Sequence, residues 1–563
     1  MDSFVSSLIV TSFLTTVANG QLPSNCSIKG SLLDCYNCGL RSIPDLSQLP
    51  ISINTLDFSY NGISAVFNLK AKTGNNITHI RLDHNLIGDL DDAAFHVFTN
   101  LVNLDLSFND LADLMVNTSK FSGMPNLEIL SLAYNPINTL SSLARAFDSY
   151  GKLKQLNMSN TKMVFIQTEA LQGLSALEVL DLSHNGIFDL SQWGYLQFDS
   201  LVTINLSYNH LKELGASAFS SCPKLQDLVL AHNVIEKFPN LDKISATKID
   251  LACNKLKSLE SDSSVPQTTK TPALASGGVQ DLNVSQNLIE NIGDNLSPKL
   301  QTLESLDLSH NHLQLLSNSA FSAFPQMLEL DLSYNNISNL NGVMLPETLG
   351  AIDIHSNNLQ EIPTGAITNL MYLYYLILDR NPIKSVNAIP RPVEGFNIYA
   401  RWVSMQHMPD FESISDIGFQ HFVSMEYINL SKNPKLTTIG HNAFAKSKET
   451  LQAVIIKDSN LTSITEDLLS WSDMEQLDLT GNNFVCDKQL CWMLEKKVTI
   501  QGFLNNIRQV LWLYTVKKFN NHFTIHLSYF DSFSWWCRYV GPYIDQGLVL
   551  PQGYMPRCWI CHV

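Results

Sequence analysis

Leu104-Asp-Leu-Ser-Phe-Asn109 recurs as Leu180-Asp-Leu-Ser-His-Asn185, Leu306-Asp-Leu-Ser-His-Asn311 and Leu330-Asp-Leu-Ser-Tyr-Asn335, so one unit is copied along the chain. Within a copy the apolar residues alternate. That period of two places Leu104 and Leu106 on one side of a short strand and Asp105 on the other. A unit this small cannot close a core by itself, whereas stacked units can pair their strands and share one. Aligned on the last residue of Leu-x-x-Leu-x-Leu-x-x-Asn, the anchors are Asn61, Asn85, Asn109, Asn135, Thr161, Asn185, Asn209, Asn233, Asn254, Asn287, Asn311, Asn335, Asn357, Asn381, Arg401, Asn433, Ser459 and Asn482. Among these eighteen units the commonest spacing is 24 residues. The amide of an anchor Asn can bond backbone groups that would otherwise be buried unpaired where each strand ends. Thr161, Arg401 and Ser459 do this less well, which predicts local irregularity there.

The motif resembles the extracellular leucine-rich repeat family over residues 53 to about 494. The resemblance implies an α/β fold, a leucine-rich repeat solenoid (horseshoe) with one long parallel β-sheet on the concave face and irregular or 3-10 segments on the convex face. Five segments are expected: a signal peptide at 1–20, a Cys-containing N-terminal cap at 21–52, a solenoid of about 18 repeats at 53–483, the start of a C-terminal Cys cap at 484–505, and an atypical aromatic tail at 506–563. Cys26, Cys35 and Cys38 are similar to the family's front cap, implying a bridge from Cys26 to Cys35 or to Cys38. Cys486 and Cys491 resemble the start of its rear cap. The tail holds 13 of the chain's 52 aromatic residues and two readings stay open for it: an aromatic partner-binding or membrane-surface module, or a translated intron or frame error beginning near Gln509.

Composition narrows the partner. Thirty-six Lys and Arg against 52 Asp and Glu give a net charge of −16, which repels phosphate backbones and argues against nucleic acid. Residues 1–20 are apolar after Asp2 and end in the small residues Ala18 and Gly20, as in a secretory leader. Sequons at Asn25, Asn76, Asn117, Asn157, Asn205, Asn283, Asn336, Asn429 and Asn460 fit a glycosylated product; Pro298 weakens a further one at Asn295. No stretch reaches the ~18 to 20 apolar residues that span a bilayer. A secreted or extracellular protein, associated with the cell surface in one version of this reading, is expected.

Three columns carry the functional argument. Eight Asp and one Arg, Arg81, occupy the outward strand position, a ladder that could focus negative potential toward a cation, although Leu-Asp-Leu-Ser is also the commonest filling of this repeat. Beside the anchor runs a ring-bearing column, Tyr60, His84, Phe108, Tyr134, His184, Tyr208, His232, His310 and Tyr334. The strands least like the template carry Asp353, His355, Tyr375, Ile377, Asp379, Arg380 and Tyr399, and a Tyr/Arg cluster has the composition of an interface hot spot. A polar insertion from Ser261 is a second candidate loop. No catalytic motif occurs, so no enzyme, cofactor or metal is expected. The expected function is protein recognition or adhesion through the concave sheet, with a protein ligand, a cell-surface partner or a second copy of the chain as partner. The alternatives are a truncated Toll-like receptor ectodomain and a non-catalytic subunit of a secreted enzyme complex.

Overall fold

The computed structural model describes residues 22–484, apart from 68, 73–74, 113–122, 139–150, 167–170, 172, 216, 261–276, 294–295, 369, 388–395 and 472–473. The expected leader, the rear cap with Cys486 and Cys491, the tail, Asn117 and the Ser261 insertion lie outside the described residues. The chain divides into two compact units, 1–288 with 295–300, and 289–294 with 301–563.

In the first unit each repeat supplies three residues to a parallel sheet: Leu32–Asp34, Thr55–Asp57, His79–Arg81, Asn103–Asp105, Ile129–Ser131, Gln155–Asn157, Val179–Asp181, Thr203–Asn205, Asp227–Val229, Lys248–Asp250 and Asp281–Asn283. Neighbours pair without slippage, so Leu56, Ile80, Leu104, Leu130 and Leu156 stand opposite one another and are all buried. A slip of one residue would turn every one of these side chains to solvent, which is why the pattern fixes the register. Ser27–Lys29 closes the front edge by pairing antiparallel with Leu32–Asp34. The second unit repeats the plan with Ser305–Asp307, Glu329–Asp331, Ala351–Asp353, Tyr375–Ile377, Trp402–Ser404, Tyr427–Asn429, Ala453–Ile455 and Gln476–Asp478.

Each chain returns to the next strand by turns, by short 3-10 segments such as Trp193–Tyr195 and Glu466–Leu468, or by a single α turn at Thr364–Ile367. Phenylalanines fill the return side: Phe95, Phe98, Phe198 and Phe219 in the first unit, and Phe321, Phe324, Phe411 and Phe419 in the second, are nearly or fully inaccessible.

The anchor asparagines bond as their chemistry requires. Asn109 donates from Nδ2 to Leu82 O at 2.9 Å in the preceding turn and to Leu106 O at 3.0 Å in its own, and its Oδ1 accepts from Ile87 N at 2.9 Å. One amide therefore stitches two turns, and the same set recurs at Asn185, Asn209 and Asn357. At Thr161 the hydroxyl donates to Met158 O at 2.9 Å, and Ser459 donates to Leu430 O at 3.1 Å. Their strands, Gln155–Asn157 and Ala453–Ile455, stay regular, so the predicted irregularity does not reach the sheet.

Arg401 is not an anchor. The strand after Tyr375–Ile377 is Trp402–Ser404, which puts the fully buried Met408 at the anchor position, seven residues later than expected. A thioether has no amide to offer, and the Met408 N–H is taken by Asn433 Oδ1 at 2.8 Å. The outward position of this repeat is accordingly Ser404, and not Asn397, the residue four before Arg401 that an Arg401 anchor would imply.

Candidate functional site

Two of the three columns serve the turn. At the outward strand position Asp105 Oδ1 accepts from Ser107 N at 2.9 Å, Asp307 from Ser309 N at 2.8 Å, and Asp331 from Ser333 N at 2.8 Å. Asn157, Asn205 and Asn283 accept the corresponding N–H at 2.9 to 3.0 Å. The Asp ladder thus reflects a side-chain cap on the backbone as it leaves the strand, and Asn does the same work. Among the described residues no group of three His, Cys, Asp or Glu could hold a metal ion. The basic member, Arg81, spends its charge within the first unit's sheet, on Asp57 at 3.2 Å and Asp83 at 3.2 Å.

The ring column occupies a left-handed backbone position. Tyr60, His84, Phe108 and Tyr134 have φ of 57°, 55°, 54° and 55°, and His184, Tyr208, His232, His310 and Tyr334 match them. Non-glycine residues pay of order 1 kcal/mol or more for this conformation, which persists because the Asn ladder on either side dictates it. The side chains then lie over one another. Ring centroids are 4.0 Å apart for Tyr60 and His84, 4.1 Å for His84 and Phe108, and 4.1 Å for Phe108 and Tyr134, with planes within 15° of parallel. His84 also bonds Asp83 at 3.0 Å and Tyr60 Oη at 3.2 Å. These rings cover one another's faces and leave only edges for a ligand.

The second unit keeps this habit at His310 and Tyr334, whose rings stack at 4.0 Å, and breaks it from Ser356 onward. There the turn column reads Ser356, Arg380, His407, Lys432 and Asp458, all at positive φ, and the rings move onto the strands. The register sets Tyr375 beside Trp402 and Trp402 beside Tyr427. Trp402 stacks on Tyr427 at 3.6 Å, lies 5.9 Å from Tyr375, and Tyr374 lies 4.6 Å from Tyr375. Tyr375 is 43% and Trp402 37% exposed, and Tyr372 reaches 72% beside them in sequence. Arg401 sits 5.8 Å over the Tyr374 ring and pairs with Glu426 at 3.3 Å. A cation over a ring with an acidic neighbour gives this apolar cluster a polar border.

The seven sequence candidates separate accordingly. Tyr375 and Ile377 lie on the strand face of the cluster, with Ile377 paired to Ser404. Asp379 is committed to structure, accepting from Ser404 Oγ at 2.7 Å and Gln406 N at 2.8 Å. Arg380 is exposed but stands in the turn column at φ 57°. Asp353 bonds His355 N at 2.9 Å and His355 Nδ1 at 2.7 Å, and burial pushes its carboxyl above the ordinary range against those bonds. Tyr399 is not on a strand; it falls before Trp402–Ser404 because the register shifts to Met408. Sequence reasoning missed Trp402, Tyr427 and Arg401. The signal was Val403-x-Met405-x-x-Met408, which keeps the apolar spacing of the repeat while replacing its Asn.

At the front cap the open alternative is resolved in favour of Cys26–Cys35, with Cα atoms 4.4 Å apart. The antiparallel register pairs Ser27 with Asp34, which sets Cys26 opposite Cys35. Cys38, expected among the bridged cysteines, keeps a free thiol that donates to Asn25 O at 2.9 Å. Cys222 is buried and its thiol is pushed up to about 12. Of the sequons, Asn25, Asn76 and Asn336 are exposed, and Asn157, Asn205, Asn283, Asn429 and Asn460 are half-buried.

A leucine-rich repeat family model matches residues 143–187, 199–241 and 278–337, and a BspA type leucine-rich repeat region matches 401–510. Mouse CD180 antigen is 27% identical over 44% of this chain and 40% of its own length. Toll-like receptor 3 of Boselaphus tragocamelus is 29% identical over 36% of this chain and 23% of its own, and mouse Tsukushi is 26% identical over 39% and 64%. The matched region thus spans less than two thirds of each of these relatives. In solved structures, a leucine-rich repeat protein of Leptospira interrogans aligns with a TM-score of 0.51 at 21% identity, covering 71% of this chain and 95% of that one. The glycosylated Toll–Spatzle complex of Drosophila aligns with a TM-score of 0.54 at 19% identity, covering 79% and 60%. These alignments support the same repeat fold.

Proposed function

Because the chain is a leucine-rich repeat protein with sequence relatives among Toll-type receptors and matrix proteins, we propose that it is an extracellular glycoprotein that recognises another protein without catalysis. The observation that carries this reading is the exposed cluster of Tyr375 and Trp402 on the strand face of the second unit, joined by Tyr374 just before the strand and bordered by the Arg401–Glu426 pair. Large, stiff aromatic side chains give much contact area for little lost entropy, and monomers seldom leave several together in water. A protein surface suits the cluster better than a nucleic acid does. The net charge is −16, and the cation at the cluster already has its counter-ion. Support for an oxidising, extracellular setting comes from the Cys26–Cys35 bridge and from the leader and sequons read in the sequence.

The test uses the full chain secreted from cultured cells, captured with its partners from the medium and from cell surfaces, as wild type and as Tyr375→Ala plus Trp402→Ala. Loss of a specific partner in the double variant, with unchanged secretion, supports the patch. Equal recovery from both proteins rejects it. The sequence relationship to Toll-like receptor 3 favours a receptor-type ectodomain as the second reading.

A further inference from the structure

We propose that Asn429 carries an N-linked glycan whose first sugar seats on the open face of Tyr427, at the edge of the aromatic cluster. The proposal rests on the extracellular reading above and specifies what that setting does to this site. Tyr427 and Asn429 lie two residues apart on the strand Tyr427–Asn429, so both side chains leave the same face of the sheet. Asn429 Nδ2 donates to Tyr427 Oη at 3.4 Å, and Asn429 Oδ1 accepts from Ser431 N at 3.0 Å. The oxygen is therefore held by the turn while the nitrogen, the atom that bears a sugar, is turned to the phenol hydroxyl at the tip of the Tyr427 ring.

The ring has one face to give. Trp402 covers the other at 3.6 Å with planes 16° apart, whereas the neighbour on the far side is Ala453, directly paired with Tyr427. A methyl group leaves that face uncovered, and the C–H face of a pyranose fits an aromatic ring as an apolar surface. The other sequons of the same column have no such seat, since Gln155, Thr203 and Asp281 stand two residues before Asn157, Asn205 and Asn283.

The transfer itself belongs to the secretory route and precedes folding. Asn429 Nδ2 forms a bond to C1 of the sugar as the C1–O bond to a polyprenyl-pyrophosphate oligosaccharide donor breaks. The pyrophosphate leaves with the electron pair, and the amide nitrogen loses one proton. Once the strand forms, the sugar is carried to Tyr427. It then marks the border of the contact surface, leaving Tyr374, Tyr375 and Arg401 as the accessible side.

The experiment takes the full chain secreted from eukaryotic cells and measures occupancy at each sequon by peptide mass spectrometry. It then measures how fast peptide-N-glycosidase releases each glycan from the native protein. Asn429 is expected to be mostly occupied and to release at least fivefold more slowly than Asn157 and Asn205. Tyr427→Ala should bring its rate within twofold of theirs. Asn429→Asp removes the sugar yet keeps the cap that Asp supplies elsewhere in the column, so it controls for folding. Unmodified Asn429 beside occupied sequons overturns this proposal alone. A chain with no occupied sequon overturns both it and the extracellular reading. Release at Asn429 as fast as at the other sites in the wild type overturns the seat, as does a slow rate that survives Tyr427→Ala.

Discussion

Two stretches of this chain use the same turn for opposite ends. Between Tyr60 and Tyr134 aromatic rings occupy the left-handed position and stack on one another, while the strand face carries Asp57, Arg81 and Asp105 tied to backbone or to each other. Between Tyr374 and Tyr427 the left-handed position passes to Arg380 and His407, and the rings stand on the strands, where Tyr375 and Trp402 present surface to solvent. The backbone is the same in both. What differs is where the large apolar surface is placed: in the first it covers itself, and in the second it is left exposed to solvent.

The sharpest way to break the comparison is to attack what both stretches share. Asn109→Ala leaves Ile87 N without its acceptor and removes two donations, at a cost of about 3 to 4 kcal/mol. Leu82 O and Leu106 O each keep a second donor, from Asn85 and Asn135, which limits the damage. Urea denaturation followed by far-ultraviolet circular dichroism should show the lowered midpoint. Loss no greater than that of an exposed Asn100→Ala control would contradict the ladder's role.

Next comes the difference itself. Tyr375→Ala with Trp402→Ala should weaken partner binding by about 2 to 3 kcal/mol in surface plasmon resonance, while leaving the denaturation midpoint nearly unchanged. Phe108→Ala should do the reverse. It removes a ring held between two others and should lower stability by about 1 to 2 kcal/mol with no effect on binding. Phe108→Gly should recover part of that loss, since glycine accepts φ 54° without strain. If both variants lose stability equally, the left-handed position is not strained.

The smallest effect is a pH dependence. Burial raises the folded-state pKa of Asp353 above its unfolded value of roughly 3.9, so the folded state holds that proton more tightly. The group's contribution is therefore most favourable in acid and declines as pH rises from the unfolded value through the raised one. Asp353→Asn removes the charge and keeps an oxygen for His355 N, as Asn does at other positions of the column. It should stabilise slightly at pH 7, by under about 1 kcal/mol, with the gain vanishing below about pH 4. A gain that persists in acid would show that charge burial is not the cause.

How legible the molecule was depends on which residues one asks about. The strands from Thr55 to Asn283 could be read because Leu-x-Leu and the anchor Asn are each enforced by burial and by hydrogen bonds, so the pattern leaves few alternatives. Tyr375 was legible as a departure from that pattern. Trp402 was not, because its repeat has Met408 in place of Asn and the nearest apparent register lay seven residues earlier; Tyr427, in the correctly read Asn433 repeat, was missed because the ring that stacks on it was out of register. The pairing of Cys26 with Cys35 rather than Cys38 was equally hidden, being decided by which residues stand opposite in an antiparallel pair.

The sequence alone determined the repeat, the strand face and the anchor chemistry, because each is a local requirement repeated many times over. The tertiary structure decided which side chains from different repeats become neighbours. Tyr375, Trp402 and Tyr427 are separated by 27 and 25 residues along the chain and form one cluster only because consecutive strands pair in register. That spacing is invisible to a periodicity search once one anchor is replaced, whereas the buried row of Leu376, Val403 and Ile428 leaves the sheet no other way to pack.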